Sequence, residues 1–352
     1  MKKLPVIDLS GQPADIGFSH GMAMSEQIKQ NYRLYLDMIH NNTGLSEPMI
    51  LDLAKRFLPE IEKTAPELLA EMEGTARGAR VSLETILVLN SRSELAFPDQ
   101  LAMQCTVIGL TAEKTVCDRA VIAQNWDWLP AVKENSAFFR IQPHNGPRAL
   151  ILAEAGQVGK IGFNEHGLGV VINLLVSTGI RLGTPTHILL RKLLSATDMA
   201  EAVLMVKDAQ WASSCHMLLG DAQGNIIGLE ASPYGVGEIK PQQGIVVHTN
   251  HFCDPSMSEK DLAPDLSVDT INRLNRAQKL VTERKQWDSA GIKQILSDHH
   301  QKPLSICRHE DPEIPQHLRM ATLVSLLIDL QNRTAEVAYG QPCRTEYYRL
   351  SL

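Results

Sequence analysis

The chain has 352 residues, 44% of them hydrophobic and 21% charged, which is enough apolar side chain for one large layered domain or two subdomains. Its formal charge of -6 supplies no concentrated basic face, so no nucleic-acid partner is expected. The start lacks the apolar core of a secretory signal, and no stretch of roughly 18 or more apolar residues occurs, so no membrane span is expected. Cys105, Cys117, Cys215, Cys253, Cys307 and Cys343 are scattered without a CxxC pair and read as reduced thiols, which points to the cytoplasm.

From Asp15 to about Phe97 the pattern is helical. Ile28, Tyr32, Tyr35, Leu36 and Ile39 recur at three- and four-residue spacing, and Leu51, Leu53, Ala54, Phe57 and Leu58 do so again before Pro59 limits that helix. Pro66 opens a further helix, and Ser82 is placed to cap the last one. After Asp99 short strands replace helices, over 106–110, 120–124, 137–142, 148–153, 158–163 and 168–174. Two helices are expected over 185–194 and 198–209, then strands over 215–220, 226–231 and 244–249. Helices over 268–284 and 289–298 precede two closing strands, 321–329 and 334–339. Short strands with brief turns predict antiparallel sheet. The proline- and histidine-rich loop from His299 to His317 reads as a mobile or substrate-facing segment.

Polar clusters mark where chemistry could lie. Gln124-Asn125-Trp126-Asp127 ends an apolar strand, and such groups need partners there or a solvated turn. His248-Thr249-Asn250-His251 follows another apolar run in the same way. Arg319 precedes the strand 321–329 and is by itself a surface charge. A metal hydrolase is the first rival reading, from His299, His300, Cys307, His309 and His317. Those residues have neither HExxH nor paired-CxxC spacing, so no metal site is assigned.

These segments together resemble the acyl-coenzyme A:6-aminopenicillanate acyltransferase-like hydrolases of the N-terminal-nucleophile superfamily. The resemblance runs through Glu73–Ala79, Leu89–Leu95, Cys105-Thr106, Gln124–Trp128, Ala212–Ser214, His248–Phe252 and Ala321–Leu323. It implies an α+β fold, an αββα four-layer sandwich of two antiparallel sheets, preceded by a helical N-terminal segment. It also implies a precursor that cuts itself between Gln104 and Cys105, leaving a chain 1–104 and a catalytic chain 105–352. Cys105 would be the nucleophile and its freed amine the base, for an α-amino group titrates near pH 8.

Carried over residue by residue, Asp127 matches the carboxylate that orients the amine, and Asn250 matches an oxyanion donor. Arg319 matches the supporting basic residue, and Asn173 a second donor. Gln124, Trp126 and Thr106 would line the substrate pocket. Gln104 stands where much of the family has glycine. No cofactor is implied. The implied partner is a small acyl amide or short peptide, turned over by hydrolysis or by acyl transfer, and a homo-oligomer is compatible with this reading. The remaining alternative is a non-catalytic binding protein on the same scaffold.

Overall fold

A computed structural model describes residues 2–96, 104–177, 181–262, 269–315 and 319–352. The first stretch holds β1 (Val6–Gly11) and seven helices: α1 (Pro13–Ala23), α2 (Ser25–Thr43), α3 (Glu47–Lys55), α4 (Leu58–Thr64), α5 (Pro66–Ala79), α6 (Leu83–Asn90) and α7 (Arg92–Ala96). Ser82 caps α6 as expected, its hydroxyl accepting from the Thr85 amide at 3.2 Å. Pro59 both ends one helical run and sits in the first turn of the next, α4, where its missing N–H costs nothing. Phe97 and the start of the expected helix at Val268 lie outside the described residues.

Then come β2 (Gln104–Leu110), β3 (Val121–Trp128), β4 (Ser136–Pro143), β5 (Ala149–Glu154), β6 (Ile161–Asn164) and β7 (Gly169–Leu175). Helices α8 (Thr186–Leu193) and α9 (Met199–Asp208) precede β8 (Ser214–Gly220), β9 (Ile226–Ser232), β10 (Gly235–Ile239) and β11 (Ile245–His248). Helices α10 (Asp269–Val281) and α11 (Ser289–Leu296) lead to β12 (Ala321–Asp329), β13 (Thr334–Ala338) and β14 (Tyr348–Ser351).

The strands form two sheets, one of eight in the order β1-β4-β5-β6-β7-β8-β9-β10 and one of six in the order β11-β2-β3-β12-β13-β14. Strands β2 and β3 face β7 and β8 across the core, while α10 and α11 cover the outer face of the six-stranded sheet. Helices α1 and α9 lie against the eight-stranded sheet. This is the expected αββα layering. Every residue of β2, β3, β5 and β7 is buried, because each strand has a layer on both faces, and their near-continuous apolar runs follow from that.

The N-terminal segment is not wholly helical, however. Strand β1 joins the eight-stranded sheet and pairs with β4 in parallel, the one departure from antiparallel order among the described strands. Strands β1, β10 and β14 escape the sequence pattern for one reason: they are edges, part exposed, and mix polar with apolar residues. No helix among the described residues is long and apolar enough to cross a membrane.

A buried charge cluster ties the helical segment to the sheets. The Glu154 carboxylate receives Arg92 of α7 and the Lys160 ammonium, each at 2.7 Å. The Tyr35 hydroxyl of α2 donates to the same carboxylate and accepts from the Trp128 indole at 2.8 Å. Burial opposes ionisation of Glu154, but the two cations outweigh it and hold the carboxyl down to about 2.

Helices α1 and α5 meet backbone to backbone. A Cβ on Gly17 would sit 1.8 Å from the Glu71 carbonyl oxygen, and one on Gly74 would sit 2.3 Å from that of Ala14. Neither backbone can yield without separating the helices. Gly17→Ala and Gly74→Ala are each expected to lower stability in chemical denaturation by about 1–3 kcal/mol, the usual range for overpacking. Unchanged denaturation midpoints would show that this crossing is not close-packed.

Candidate active site

The site is built around a strand that outlasts its neighbour. Strand β11 pairs with β2 from Ile245 opposite Leu110 to His248 opposite Val107, and there it ends. Cys105 lies two residues further along β2, buried, with no strand on that side among the described residues. Side chains replace the strand. The Cys105 amide donates to Asn250 Oδ1 at 2.8 Å. Its carbonyl accepts from Arg273 Nη1 at 2.6 Å and from Asn173 Nδ2 at 3.2 Å. An unmet buried amide or carbonyl costs about 1–3 kcal/mol, so these bonds are what allow the cysteine to sit here.

Arg273 is the hub. Its guanidinium also reaches Thr106 Oγ1 and Asn250 Oδ1, each at 3.1 Å, and its Nε donates to Asp269 at 3.1 Å. Asp269 opens α10 and stands one helical turn before Arg273. It also accepts from Gln104 Nε2 and Arg308 Nη1, each at 3.2 Å. The residues flanking the Gln104–Cys105 bond are therefore gripped by α10 from the outer face of the sheet. Gln104 itself takes ordinary strand geometry in β2.

Alternation along β3 divides the Gln124–Trp128 segment between two faces. Gln124 turns to the eight-stranded sheet and brackets Ile172, donating to its carbonyl at 2.7 Å and accepting from its amide at 2.9 Å. The β6–β7 pairing reaches only Val170, so this side chain finishes an open strand edge, as Asn250 does for Cys105. Trp126, opposite Cys105, is fully buried under Lys160, whose Nζ lies 3.6 Å from its ring centroid. Asn125 and Asp127 turn outward. Asn125 Nδ2 donates to the carbonyls of Leu296 and Ile306, each at 2.8 Å. Asp127 Oδ1 accepts from Thr322 Oγ1 at 2.6 Å, and its buried Oδ2 has no hydrogen-bond partner among the described residues.

Burial pushes the Cys105 thiol up to about 11, and the Asp127 charge adds to this, while Lys160 acts the other way. Burial likewise raises Asp127 to about 7, against Thr322, Arg273 and Arg308. Behind Asn173, its Oδ1 meets His216 Nδ1 at 2.9 Å, and the His216 ring stacks on His248 at 3.7 Å. Burial works against a charge on His248, yet its bonds to Cys253 and Glu230 raise it to about 10. His216 is driven well below its ordinary value by burial and by that neighbouring charge.

Cys105, Asn250, Asn173, Gln124 and Trp126 thus come together, with Thr106 and Asp127 on the opposite face of the same pair of strands. Three of these residues have tasks that the sequence did not suggest. Gln124, expected to line a pocket, has both ends of its amide bound to Ile172. Thr106 accepts from Arg273, and Trp126 lies under Lys160. The amide nitrogen of Asn250, expected to face an oxyanion, donates to the Leu174 carbonyl at 3.0 Å. Arg319 is not brought to the site: its guanidinium holds the carbonyls of Pro312 and Ile314, each at 2.8 Å. Arg273 and Arg308 stand in the place foreseen for it. Arg308 comes from the histidine-rich loop, where Ser305–His309 is buried rather than free; His317 lies outside the described residues. The Asp269/Arg273 pair at i, i+4 was the available signal, but on an amphipathic helix it reads as a solvated face.

The raised Asp127 carboxyl has a stability consequence. Its value is 3.8 in the unfolded chain and about 7 in the folded one, so between these the folded chain holds the extra proton. That contribution is fully present below about pH 4 and is lost as pH rises through 7. Asp127→Asn removes it. The melting temperature of this variant relative to wild type should therefore climb between pH 4 and 7, and a pH-independent difference would contradict the assignment.

Known proteins resemble this chain over most of its length. Residues 113–344 match the acyl-coenzyme A:6-aminopenicillanic acid acyl-transferase family. The 40 kDa form of acyl-coenzyme A:6-aminopenicillanic-acid-acyltransferase from Emericella nidulans is 30% identical over 344 residues, 96% of this chain and 92% of that protein. The beta-alanyl-dopamine/carcinine hydrolase of Drosophila melanogaster is 22% identical, over 97% of this chain and 94% of its own. Among solved structures, a conjugated bile acid hydrolase from Clostridium perfringens aligns with a TM-score of 0.48 and 13% identity, over 70% of this chain and 97% of that one. The chain belongs to the acyl-coenzyme A:6-aminopenicillanic acid acyl-transferase family.

Proposed function

We propose that this protein is a self-processing cysteine enzyme of the N-terminal-nucleophile type, which breaks or transfers an amide C–N bond through an acyl-enzyme on Cys105. The observation that carries this reading is the convergence on one buried cysteine. Separate side chains hold its nitrogen and its carbonyl oxygen, and the preceding residue is anchored by Asp269.

With a thiol raised to about 11, the uncut chain holds Cys105 protonated near neutral pH. Activation begins with the cut. Sγ adds to the Gln104 carbonyl carbon, the C–N bond to Cys105 breaks, and a thioester and a free amine result. Water then hydrolyses the thioester, releasing Gln104 as a carboxylate. The freed amine, with a reference pKa of roughly 8, can take the Sγ proton in each later turnover. Asn250 Oδ1 already holds that nitrogen, and the unpartnered Oδ2 of Asp127 is a further acceptor near the cut bond. Asn250 Nδ2 spends one N–H on the Leu174 carbonyl and keeps its second as a donor to an oxyanion, and Asn173 is the second side-chain amide at hand. In our reading Arg273, rather than Arg319, positions the nucleophile.

In turnover, Sγ attacks the substrate carbonyl, the leaving amine takes the proton, and a thioester remains. Water completes hydrolysis, whereas a second amine completes acyl transfer. The substrate class is a small molecule bearing an acylated amine, in keeping with the names of both relatives, an acyltransferase of 6-aminopenicillanic acid and a hydrolase of beta-alanyl-dopamine and carcinine.

The test is a panel of N-acyl amides and short peptides, assayed with and without an amine acceptor, with mass spectrometry of the quenched enzyme. An acyl adduct should map to the peptide that starts at Cys105 and be discharged by hydroxylamine. Cys105→Ala should lower turnover by about a thousandfold or more. An adduct on another residue, or turnover by that variant, would overturn the assignment.

A further inference from the structure

We propose that His299, Cys307, His309 and Cys343 bind one Zn2+ ion, at a site separate from Cys105. The Nδ1 or Nε2 of each histidine and the Sγ of each cysteine offer four ligand atoms, all within 4.8 Å of one another. The three spacings from His309 are close to those within a tetrahedral zinc site. His309 Nε2 lies 3.1 Å from His299 Nε2, 3.7 Å from Cys307 Sγ and 3.3 Å from Cys343 Sγ. Zinc bonds of about 2.0 Å to nitrogen and 2.3 Å to sulfur put neighbouring ligand atoms roughly 3.3–3.8 Å apart.

Hydrogen bonding alone explains this cluster poorly. One atom, His309 Nε2, faces three polar atoms, and an imidazole nitrogen carries at most one proton. A cation at the centre satisfies all four groups together. Two neutral imidazoles and two thiolates around a divalent ion sum to zero charge, which suits a place where Cys307 and His309 are buried. Each cysteine would lose its proton to solvent on binding. Two thiolates with two imidazoles in a tetrahedron select zinc over magnesium or calcium, which prefer oxygen.

The sequence hid this set. Cys343 is 34 residues from His309, and no metal motif joins them. The site lies on the loop that serves the nucleophile. Between two of the ligands, Arg308 donates its backbone amide to Thr322 Oγ1, the partner of Asp127, and its side chain to Asp269. An ion here would pin the loop to the C-terminal segment and hold Arg308 in register.

Protein purified under reducing conditions without added chelator should carry about one zinc per chain by elemental analysis. Exchange for Co2+ should give tetrahedral d–d absorption and a thiolate-to-cobalt charge-transfer band. Two variants are informative. His299→Ala alters an exposed ligand, and Cys343→Ser removes a thiolate; each should lower zinc affinity by about a hundredfold or more while leaving the circular dichroism of the fold unchanged. The proposal is overturned if wild-type protein takes up no zinc after dialysis against it. It is equally overturned if both variants bind zinc as wild type does, or if Cys307 and Cys343 form a disulfide in the purified protein.

Discussion

A backbone that passes the end of its neighbouring strand must find other partners or stay out of the core. Cys105 does the former. Its amide and carbonyl lie beyond His248, where β11 stops, and are met by Asn250, Arg273 and Asn173. Most of the site follows from this one constraint. Arg273 needs Asp269 to balance its buried charge, Asp269 in turn fixes Gln104, and Asn173 is held by His216. The groups that satisfy the cysteine backbone are also those that would steer its chemistry.

A second constraint keeps the two halves together. The proposed cut lies after every helix of the first stretch, so those helices would remain bound only through contact. Their apolar faces share one core with both sheets. Arg92 and Tyr35 reach across to Glu154, whose other partner, Lys160, covers Trp126 beside Cys105. Removing one partner from such a buried pair costs about 3–5 kcal/mol, because the other charge is stranded. The first segment thus helps to shape the site even where it supplies no reacting atom.

What was legible in the sequence depended on local contrast. Gln124, Asn125 and Asp127 stood out because polar residues interrupt an apolar strand, and Asn250 stood out at the end of another. The layered α+β order could be read from periodicity, and the cysteine from its family surroundings. Asp269 and Arg273 could not be read, because only tertiary packing makes one face of α10 internal. Arg308 and Arg319 sit in similar polar loops, and nothing local tells which one turns inward. Edge strands β1, β10 and β14 lack the buried alternation that reveals a strand, and the bracketing of Ile172 by Gln124 depends on where β6 ends.

The proposed activation requires that Cys105 become a chain terminus. Intact-mass measurement of freshly expressed wild-type protein and of Cys105→Ala tests this most directly. The wild type should give two fragments whose masses sum to 38.9 kDa plus one water, the larger beginning at Cys105, and the variant should stay whole. A single wild-type species near 38.9 kDa with full amidase or acyl-transfer activity would contradict it.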